Sequence, residues 1–577
     1  MKLEKIIIHN IRSFKDAEFI TPAYTLLVGE NNSGKTNLLY ALRLFYEEGN
    51  VKFKNADDFP KFATADNESW VELEFITTNE EQESLREEYR STDNKLKVRK
   101  YFKSDNEAFL QKDQSNIYAY ENGTLSNNLF YGARNISQAK LGSVIYIPAV
   151  SKSDDTLKLS GPSPFRDLVN TVMKKVVEQS PSFQNLETAF TNFNTDFRNE
   201  ADQAGMSISS LTNEINDNIE DWGINFGVDI RSIKPDDIVK SLLQHYFKDQ
   251  QLNDEEINHN SFGQGLQRHL IYTLIRLAAK YKSATASRTR GFNPDYSLIL
   301  FEEPEAFLHP TQQEKLQSSL RELSQLPNQQ IILSTHSPKF VCKQTLYFNT
   351  LIRLGKSNGV TKIFKLDDEE ISFIQNENIG LYNLFCEKLM DTSTPQAIKT
   401  IIQRRQFGHN PPRTEDKLQD ESINYFIWLN AERSSLFFAK HVIICEGPSE
   451  KVLFEYLFNE LWTDLRDKQI YILDALGKFN IHRYISFLSK LGIEHSIFAD
   501  KDNDDNIHAI INDYITSKRT AFTKNIHFFE NDIEDFLEIA KPSRKDLKPI
   551  NIIKKQMSGE ITTAKITALK NIILSFI

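Results

Sequence analysis

The sequence predicts an α/β protein made of two parallel-sheet units, the first interrupted by a helical insertion. Three observations carry that expectation. The run Gly29–Thr36, GENNSGKT, lies between the apolar stretch Thr25–Val28 and a helical pattern beginning at Asn37, the strand–loop–helix setting that a phosphate-binding loop requires. Leu298–Phe301 and Ile331–Leu333 read as buried strands that end in Glu302-Glu303 and in Thr335-His336. Far downstream, the apolar strands His441–Cys445 and Ser496–Ala499 also end in acids, at Glu446 and at Asp500-Lys501-Asp502.

Length and composition set the bounds. A chain of 577 residues has room for roughly two to four domains, each with its own core. With 40% hydrophobic and 26% charged residues the composition is that of a globular protein. No apolar stretch is long enough to span a bilayer, and MKLEKIIIHNIRSF reads as an amphipathic first strand rather than a secretory signal. The 3 cysteines, Cys342, Cys386 and Cys445, are too scattered for a disulfide scaffold or a zinc knuckle and suit a reducing cytoplasm. The net charge of -10 means that any nucleic-acid contact relies on local basic patches. Candidates are Lys95–Lys100, Arg404-Arg405 and the lysine-rich stretch from Lys541 to Lys555.

Strand-like alternation marks Lys5–Ile8, Tyr24–Val28, Val71–Phe75 and Val144–Ile147. From Ser163 to Asn260 the spacing becomes helical, as in Phe165, Leu168, Val169 and Val172. Strand–helix alternation returns at Ser261, and a polar, helical connector fills Asp368–Ser435. The expected boundaries are 1–162 and 261–367 for the two lobes of the nucleotide unit, 163–260 for the insertion, 368–435 for the connector and 436–577 for the last unit.

The loop residues Gly29, Asn31, Asn32, Ser33, Gly34, Lys35, Thr36 and Asn37 are arranged to hold a nucleotide triphosphate. Lys35 reaches the β- and γ-phosphates, Thr36 ligates Mg²⁺, and the helix start adds a positive dipole end. Glu302 is placed to hold the same metal through water and Glu303 to polarise the attacking water. The usual first acid of this pair is Asp, so Glu302 is a departure. His336 can contact the γ-phosphate. Ser261, Gly263, Gln264 and Gly265 open a further helix, whose N–H groups can hold a phosphate from outside.

The acids of the last unit form a second centre. Strand ends of a parallel sheet gather at one edge, so Glu446, Asp500 and Asp502 meet there. Hard carboxylate oxygens suit Mg²⁺ or Mn²⁺, and acids this close repel one another without a cation. A third acidic cluster, Glu530–Asp535, follows the strand-like Ile526–Phe529, and Lys565 opens a helical pattern near the end.

The order of loop, signature, Glu-Glu strand and His resembles the ATP-binding-cassette (ABC) type ATPase heads of the RecF, Rad50 and SMC group. Those heads sandwich ATP between two copies, which implies a homodimer. The insertion carries no sustained heptads, so no long coiled-coil arm is expected. EGPSE followed by DKD resembles a Toprim domain, the metal site of topoisomerases, primases and some nucleases. A Toprim unit after such a head resembles the OLD (overcoming lysogenisation defect) family of nucleases, which includes the nuclease subunit of the Gabija defence system and retron-associated effectors. The resemblance implies ATP and Mg²⁺ or Mn²⁺ as cofactors, double-stranded DNA as target, and a role in defence against phage. It also implies dimerisation through the insertion, and a partner such as a helicase-like protein or a retron reverse transcriptase with its DNA–RNA hybrid. Carried over residue by residue, Glu446 and Glu450 match the first acidic motif, Asp500 and Asp502 the metal-binding pair, and Asp532 and Glu534 the later motif. Lys565 matches the catalytic lysine, with Lys554 and Lys555 as competitors. The alternative is an ATP-switched DNA-binding clamp with an inert Toprim fold. A topoisomerase or primase would need strand-passing or polymerising segments, and none is legible.

Overall fold

The computed structural model describes residues 1–149, 180–228, 253–257, 262–283, 291–341, 345–414, 433–502 and 506–576, with isolated positions in 166–250 and at 417–418. Phe165, Leu168, Val172, Ser261 and Cys342 lie outside the described residues.

The chain enters through β1 (Lys2–Ile11) and β2 (Phe14–Ile20), a hairpin turned at Arg12, then crosses to β3 (Tyr24–Val28). β3 is buried at every position, as its run of apolar residues requires for a strand covered on both faces. β4 (Ser69–Ile76), β5 (Lys95–Lys103), β6 (Ile117–Glu121) and β7 (Thr124–Leu129) extend the hairpin into an antiparallel sheet of order β2-β1-β4-β5-β6-β7. Glu72 faces Arg99 and Glu74 faces Lys97 across the β4–β5 pair, with bonds of 2.7 Å and 2.9 Å. The basic patch expected at Lys95–Lys100 is therefore neutralised within the sheet by cross-strand partners, and Lys100 is buried against Glu47.

The second sheet holds β3 at its centre. β8 (Ser143–Ile147), β11 (Ser297–Glu302), β12 (Gln329–Ser334), β13 (Leu351–Ser357) and β14 (Val360–Lys365) complete the order β14-β13-β3-β12-β11-β8. All neighbours run parallel except β13 and β14. The ends of β3, β11 and β12 therefore lie at one edge, which brings the phosphate-binding loop, the Glu302-Glu303 pair and the His336 turn together. Side chains such as Phe14, Leu38, Phe45, Phe75 and Leu300 fill the shared core, each contributing roughly 1.5–3 kcal/mol by leaving water.

The last sheet is entirely parallel, in the order β16 (Ile470–Asp474), β15 (His441–Cys445), β17 (Glu494–Asp500), β18 (Thr523–Phe529). β15 has a later strand on each side, so the strand order switches direction at its carboxyl end, the usual position of a site in such sheets. The final helix, Thr563–Leu574, packs Ile566, Leu569 and Ile573 into this unit's core beside Phe498 and Phe529.

By internal packing the chain divides into two units. One comprises Met1–Pro148, Arg290–Glu305 and His309–Ile577; the other comprises Ala149–Thr289 and Ala306–Leu308. The second contains the helices Pro181–Asn199, Ile208–Ile219 and Gln264–Ser283. It also contains a short antiparallel ribbon, β9 (Phe247–Asp249) with β10 (Glu255–Ile257), where helical spacing had been expected. Asn253 and Asp254 both take left-handed backbone, φ 54° and 61°, which the reverse turn needs and which these residues tolerate.

Candidate active sites

The loop at the end of β3 is built on two glycines. Gly29 and Gly34 have φ of 136° and 110°, open to residues without a Cβ. A Cβ on Gly29 would lie 2.1 Å from the Leu354 carbonyl oxygen, and one on Gly34 would lie 2.4 Å from Thr361 Oγ1. Ser33 is buried, while Asn31 and Asn32 are exposed. Lys35 Nζ donates to the Gly29 and Glu30 carbonyls, each at 2.8 Å. Burial lowers its pKa to about 8, against the pull of Glu303 and Glu30. Thr36 Oγ1 donates to Glu302 Oε1 at 2.6 Å, so the hydroxyl and carboxylate expected to share a metal already touch. Tyr146 holds the other Glu302 oxygen at 2.7 Å. Glu303 Oε1 lies 3.6 Å from His336 Nε2. Burial, then the nearby Lys35, lowers the His336 pKa to about 4, so its imidazole is neutral at pH 7. Asn37 joins Ser13 and Arg12 beside the loop. There a 470 Å³ cavity opens, lined among others by Arg12, Asn37, Phe59, Lys61, Phe62 and Lys356.

Sequence reasoning missed Glu305, the third acid of Glu302-Glu303-Pro304-Glu305. It is buried, and its Oε1 accepts from the backbone N–H of His336 at 2.7 Å and of Ser337 at 3.1 Å. It fixes the turn that presents His336. Glu305→Ala should therefore lower ATP hydrolysis about tenfold or more, the scale of losing an orienting partner, while nucleotide affinity stays within about twofold because Glu305 touches no loop amide. Steady-state ATPase assays and nucleotide titration check this.

Gln264 opens its helix as expected, with Gly265 in the first turn. Gly263 precedes it, and its carbonyl accepts from Leu266 N and Gln267 N. These residues belong to the second unit.

At the carboxyl edge of the last sheet the expected acids come together. Glu446 follows β15, and its Oε2 accepts from the backbone N–H of Asp500 at 3.1 Å. Glu450 lies in the first turn of the helix Pro448–Glu460, where it bonds the Gly447 N–H at 3.2 Å. Burial, then Glu446 and Glu534, pushes its carboxyl up to about 8. Asp500 is pushed up to about 9 by burial, then by Glu450, Glu446, Asp502 and Asp532. Glu446 is raised chiefly by burial. Asp532 caps the Ile533–Phe536 turn through Asp535 N at 3.0 Å, and Lys541 lies 2.7 Å from its carboxylate. Glu534 is 0% exposed. Like charges in so small a volume call for a cation.

The donor set fits a hard divalent ion. All six groups are carboxylates, and Asp500 Oδ1 and Glu534 Oε1 are buried without a hydrogen-bond partner, an open valence of the kind an ion satisfies. Among the described residues, no group of three or more His, Cys, Asp or Glu is set closely enough to hold a metal ion as it stands, so an ion would have to draw these carboxylates together. Two lysines neutralise the acids: Lys548, which the sequence offered only as part of the basic stretch Lys541–Lys555, and Lys478, which it did not single out. Lys548 Nζ lies 3.1 Å from Glu534 and 3.7 Å from Asp532. Lys478 Nζ lies 2.6 Å from Asp502 and 3.9 Å from Glu446. Lys565 is not brought onto the six acids; it pairs with Glu538 at 2.9 Å, beside the Phe536 ring. Lys555 pairs with Glu560, and Lys554 lies in the last turn of the helix Lys548–Met557.

A phosphate-loop sheet with its acid pair, followed by a parallel sheet edged with carboxylates, defines an AAA-type ATPase joined to a Toprim unit. Residues 24–341 match the family described as "AAA domain, putative AbiEii toxin, Type IV TA system", and residues 437–502 match "Overcoming lysogenization defect protein-like, TOPRIM domain". The first match spans more than half of the chain, and with the second the chain belongs to the OLD family of nucleases. It is 24% identical over 526 residues to Endonuclease GajA of Bacillus cereus (strain VD045), covering 87% of this chain and 75% of that protein. It is 20% identical over 520 residues to the Old nuclease of Escherichia phage P2, covering 88% and 78%. Among solved structures, the SMC head domain from Thermotoga maritima aligns with 64% of this chain and 100% of its own, at 14% identity and a TM-score of 0.29.

Proposed function

We propose that this protein is an ATP-regulated, divalent-metal-dependent endonuclease that cuts double-stranded DNA, and that it serves in defence against phage. The observation that carries the reading is the gathering of Glu446, Glu450, Asp500, Asp502, Asp532 and Glu534 at one sheet edge, with buried oxygens left open to an ion. Glu446, Asp500, Asp502 and Asp532 would hold Mg²⁺ or Mn²⁺, with Glu450 and Glu534 completing or orienting the set. A divalent ion supplies an activated water and neutralises the leaving oxygen. The chain's own part is to fix the carboxylates, exclude bulk water and offer cations to the scissile phosphate.

Lys565 takes the last role. Its partner Glu538 is 69% exposed, and an exposed pair holds its members by only about 0–1 kcal/mol. Lys565 is therefore free to turn to a phosphate, whereas Lys548 is committed to Glu534. Lys565→Ala should slow cleavage by at least about tenfold (a single charge-stabilising group is worth more than that) and leave Mn²⁺ affinity unchanged. Rate and metal titrations on the same preparation check both.

In the first unit, Lys35, Thr36 and the loop amides would hold the triphosphate of ATP, Glu302 its Mg²⁺ and Glu303 the attacking water, with the 470 Å³ cavity beside Arg12 taking the nucleoside end. Gly263, Gln264 and Gly265, with Ser261, would meet a nucleotide of a second copy. A homodimer fits the insertion, which leaves the large apolar side chains Phe193, Phe197, Leu211, Trp222 and Ile224 exposed, with Phe193 and Phe197 stacked on one another. A helicase-like protein or a retron reverse transcriptase with its hybrid is the further partner the family suggests. No helix among the described residues is long and apolar enough to cross a membrane, in keeping with a cytoplasmic site of action.

Purified protein incubated with supercoiled plasmid, with Mn²⁺ or Mg²⁺ and with or without ATP, tests the reading. Metal-dependent nicking or linearisation is expected. Intact plasmid under every condition overturns it in favour of an ATP-switched clamp.

A further inference from the structure

Lys478 is a charged side chain in an unusual place. It is 2% exposed, and its ammonium donates to the Asp500 carbonyl and to Asp502 Oδ2, with Glu446 Oε2 3.9 Å away. His508 Nδ1 lies 3.4 Å from the ammonium and 3.2 Å from the same Asp502 oxygen. A buried ammonium survives only where acceptors surround it, and these come from the ends of β15 and β17 and from the helix Asn506–Ser517.

The turn that carries Lys478 is tied to the same site. Ala475 N donates to the Cys445 carbonyl at 2.9 Å, and Gly477 N donates to the Glu446 carbonyl at 2.7 Å. Asn480 Nδ2 closes the turn on the Ala475 carbonyl at 3.0 Å. The lysine backbone is thus fixed to the residue that supplies the first acid. On the other side, Asp502 has left-handed backbone, φ 52°, a conformation that aspartate tolerates and that turns its carboxylate back towards Lys478 and His508. The bond from Lys478 is the shortest hold on its carboxylate.

We propose that Lys478 is a positioning residue for the acid cluster, whose ammonium stands in for a divalent cation by holding Asp502 against the Asp500 carbonyl until an ion takes the carboxylate over. The inference rests on the nuclease reading above. It differs from an ordinary buried ion pair in the sign of one effect. Removing a partner of a purely structural pair disorders the site and weakens metal binding. Removing a tethered competitor leaves acids without a counter-charge and strengthens metal binding, while the metal-free fold suffers.

Lys478→Gln tests this, because glutamine keeps a hydrogen-bond donor and drops the charge. The measurements are Mn²⁺ titration by calorimetry and thermal melting with and without Mn²⁺. The expected result is Mn²⁺ binding tightened tenfold or more, a lower melting temperature without metal, and recovery at saturating Mn²⁺. Lys478→Arg, which keeps the charge, should titrate like the unaltered protein. Unchanged or weaker Mn²⁺ binding by a folded Lys478→Gln protein, or a variant that stays unfolded at saturating Mn²⁺, overturns the proposal. Plasmid cleavage by the unaltered protein, run beside it, tests the nuclease reading separately.

Discussion

Asp500→Asn should reduce metal-dependent DNA cleavage by more than about a hundredfold, beyond the loss that even an outer partner of a metal site causes, and should leave ATP hydrolysis at its original rate. Asp500 is the acid in the most crowded position, with Glu446, Glu450, Asp502 and Asp532 all acting on it. Its Oδ1 is buried without a partner, so the amide replaces an oxygen that has no other structural task. The same variant separates charge from shape. In the metal-free protein the Asp500 carboxyl sits at about 9, far above the ~3.9 of an unfolded chain. A folded state that binds this proton more tightly loses stability, relative to the unfolded state, as pH rises from the unfolded value towards the folded one. Asparagine carries no such proton. Metal-free Asp500→Asn should therefore melt a few degrees above the unaltered protein at pH 8, and the gap should close as pH falls towards 4. Saturating Mn²⁺ should reverse the order, because only the aspartate offers a full charge to the ion. Scanning calorimetry at the two pH values, with and without Mn²⁺, checks each step. A cleavage rate within about threefold of the original would remove Asp500 from the site.

What the sequence made legible was local. The phosphate loop needs its glycines, lysine and hydroxyl in unbroken order, and β3 and β15 coincide with the apolar runs Tyr24–Val28 and His441–Cys445. The acids at Glu446, Asp500 and Asp502 were legible because each ends an apolar strand, and parallel strands bring their ends together. What stayed hidden were side chains whose meaning depends on partners distant in the chain. Glu305 looks like a spare acid until it meets the His336 turn. Lys478 follows β16, whose Ile470–Asp474 run was not read as a strand, and its burial is set by two other strand ends. The patch at Lys95–Lys100 misled in the opposite direction. Its cations looked available for DNA, but strand register sets them against Glu72 and Glu74. The ribbon β9–β10 was hidden because its strands are three residues each, too short for alternation to register.

Arg353→Met should destabilise the seam between the nucleotide sheet and the nuclease sheet by about 3 kcal/mol or more, and should uncouple DNA cleavage from ATP. Arg353 is 2% exposed. Its guanidinium donates to the carbonyls of Leu491 at 3.0 Å, Gly492 at 3.1 Å and Ala439 at 3.2 Å. Two of these carbonyls end the helix Ile481–Lys490, where a cation also meets the negative end of the helix dipole. Each buried carbonyl left without a donor costs about 1–3 kcal/mol, and methionine fills the space without donating. Lysine should rescue little, because one ammonium cannot match a planar fork spread over three acceptors. Hydrogen exchange should rise at residues 478–492 before it rises elsewhere. The functional consequence follows from what lies at each end. Arg353 is the register partner of Val28, the residue before the phosphate loop, and the Leu354 carbonyl lies where a Gly29 Cβ would go, so the loop and β13 move as one piece. The helix that Arg353 grips begins directly after the turn that carries Lys478, and Lys478 holds Asp502. Arg353→Met should still hydrolyse ATP and still bind Mn²⁺, yet cleave at one rate whether or not ATP is present. An ATP effect on cleavage as large as in the unaltered protein would show that the two sheets communicate by another route.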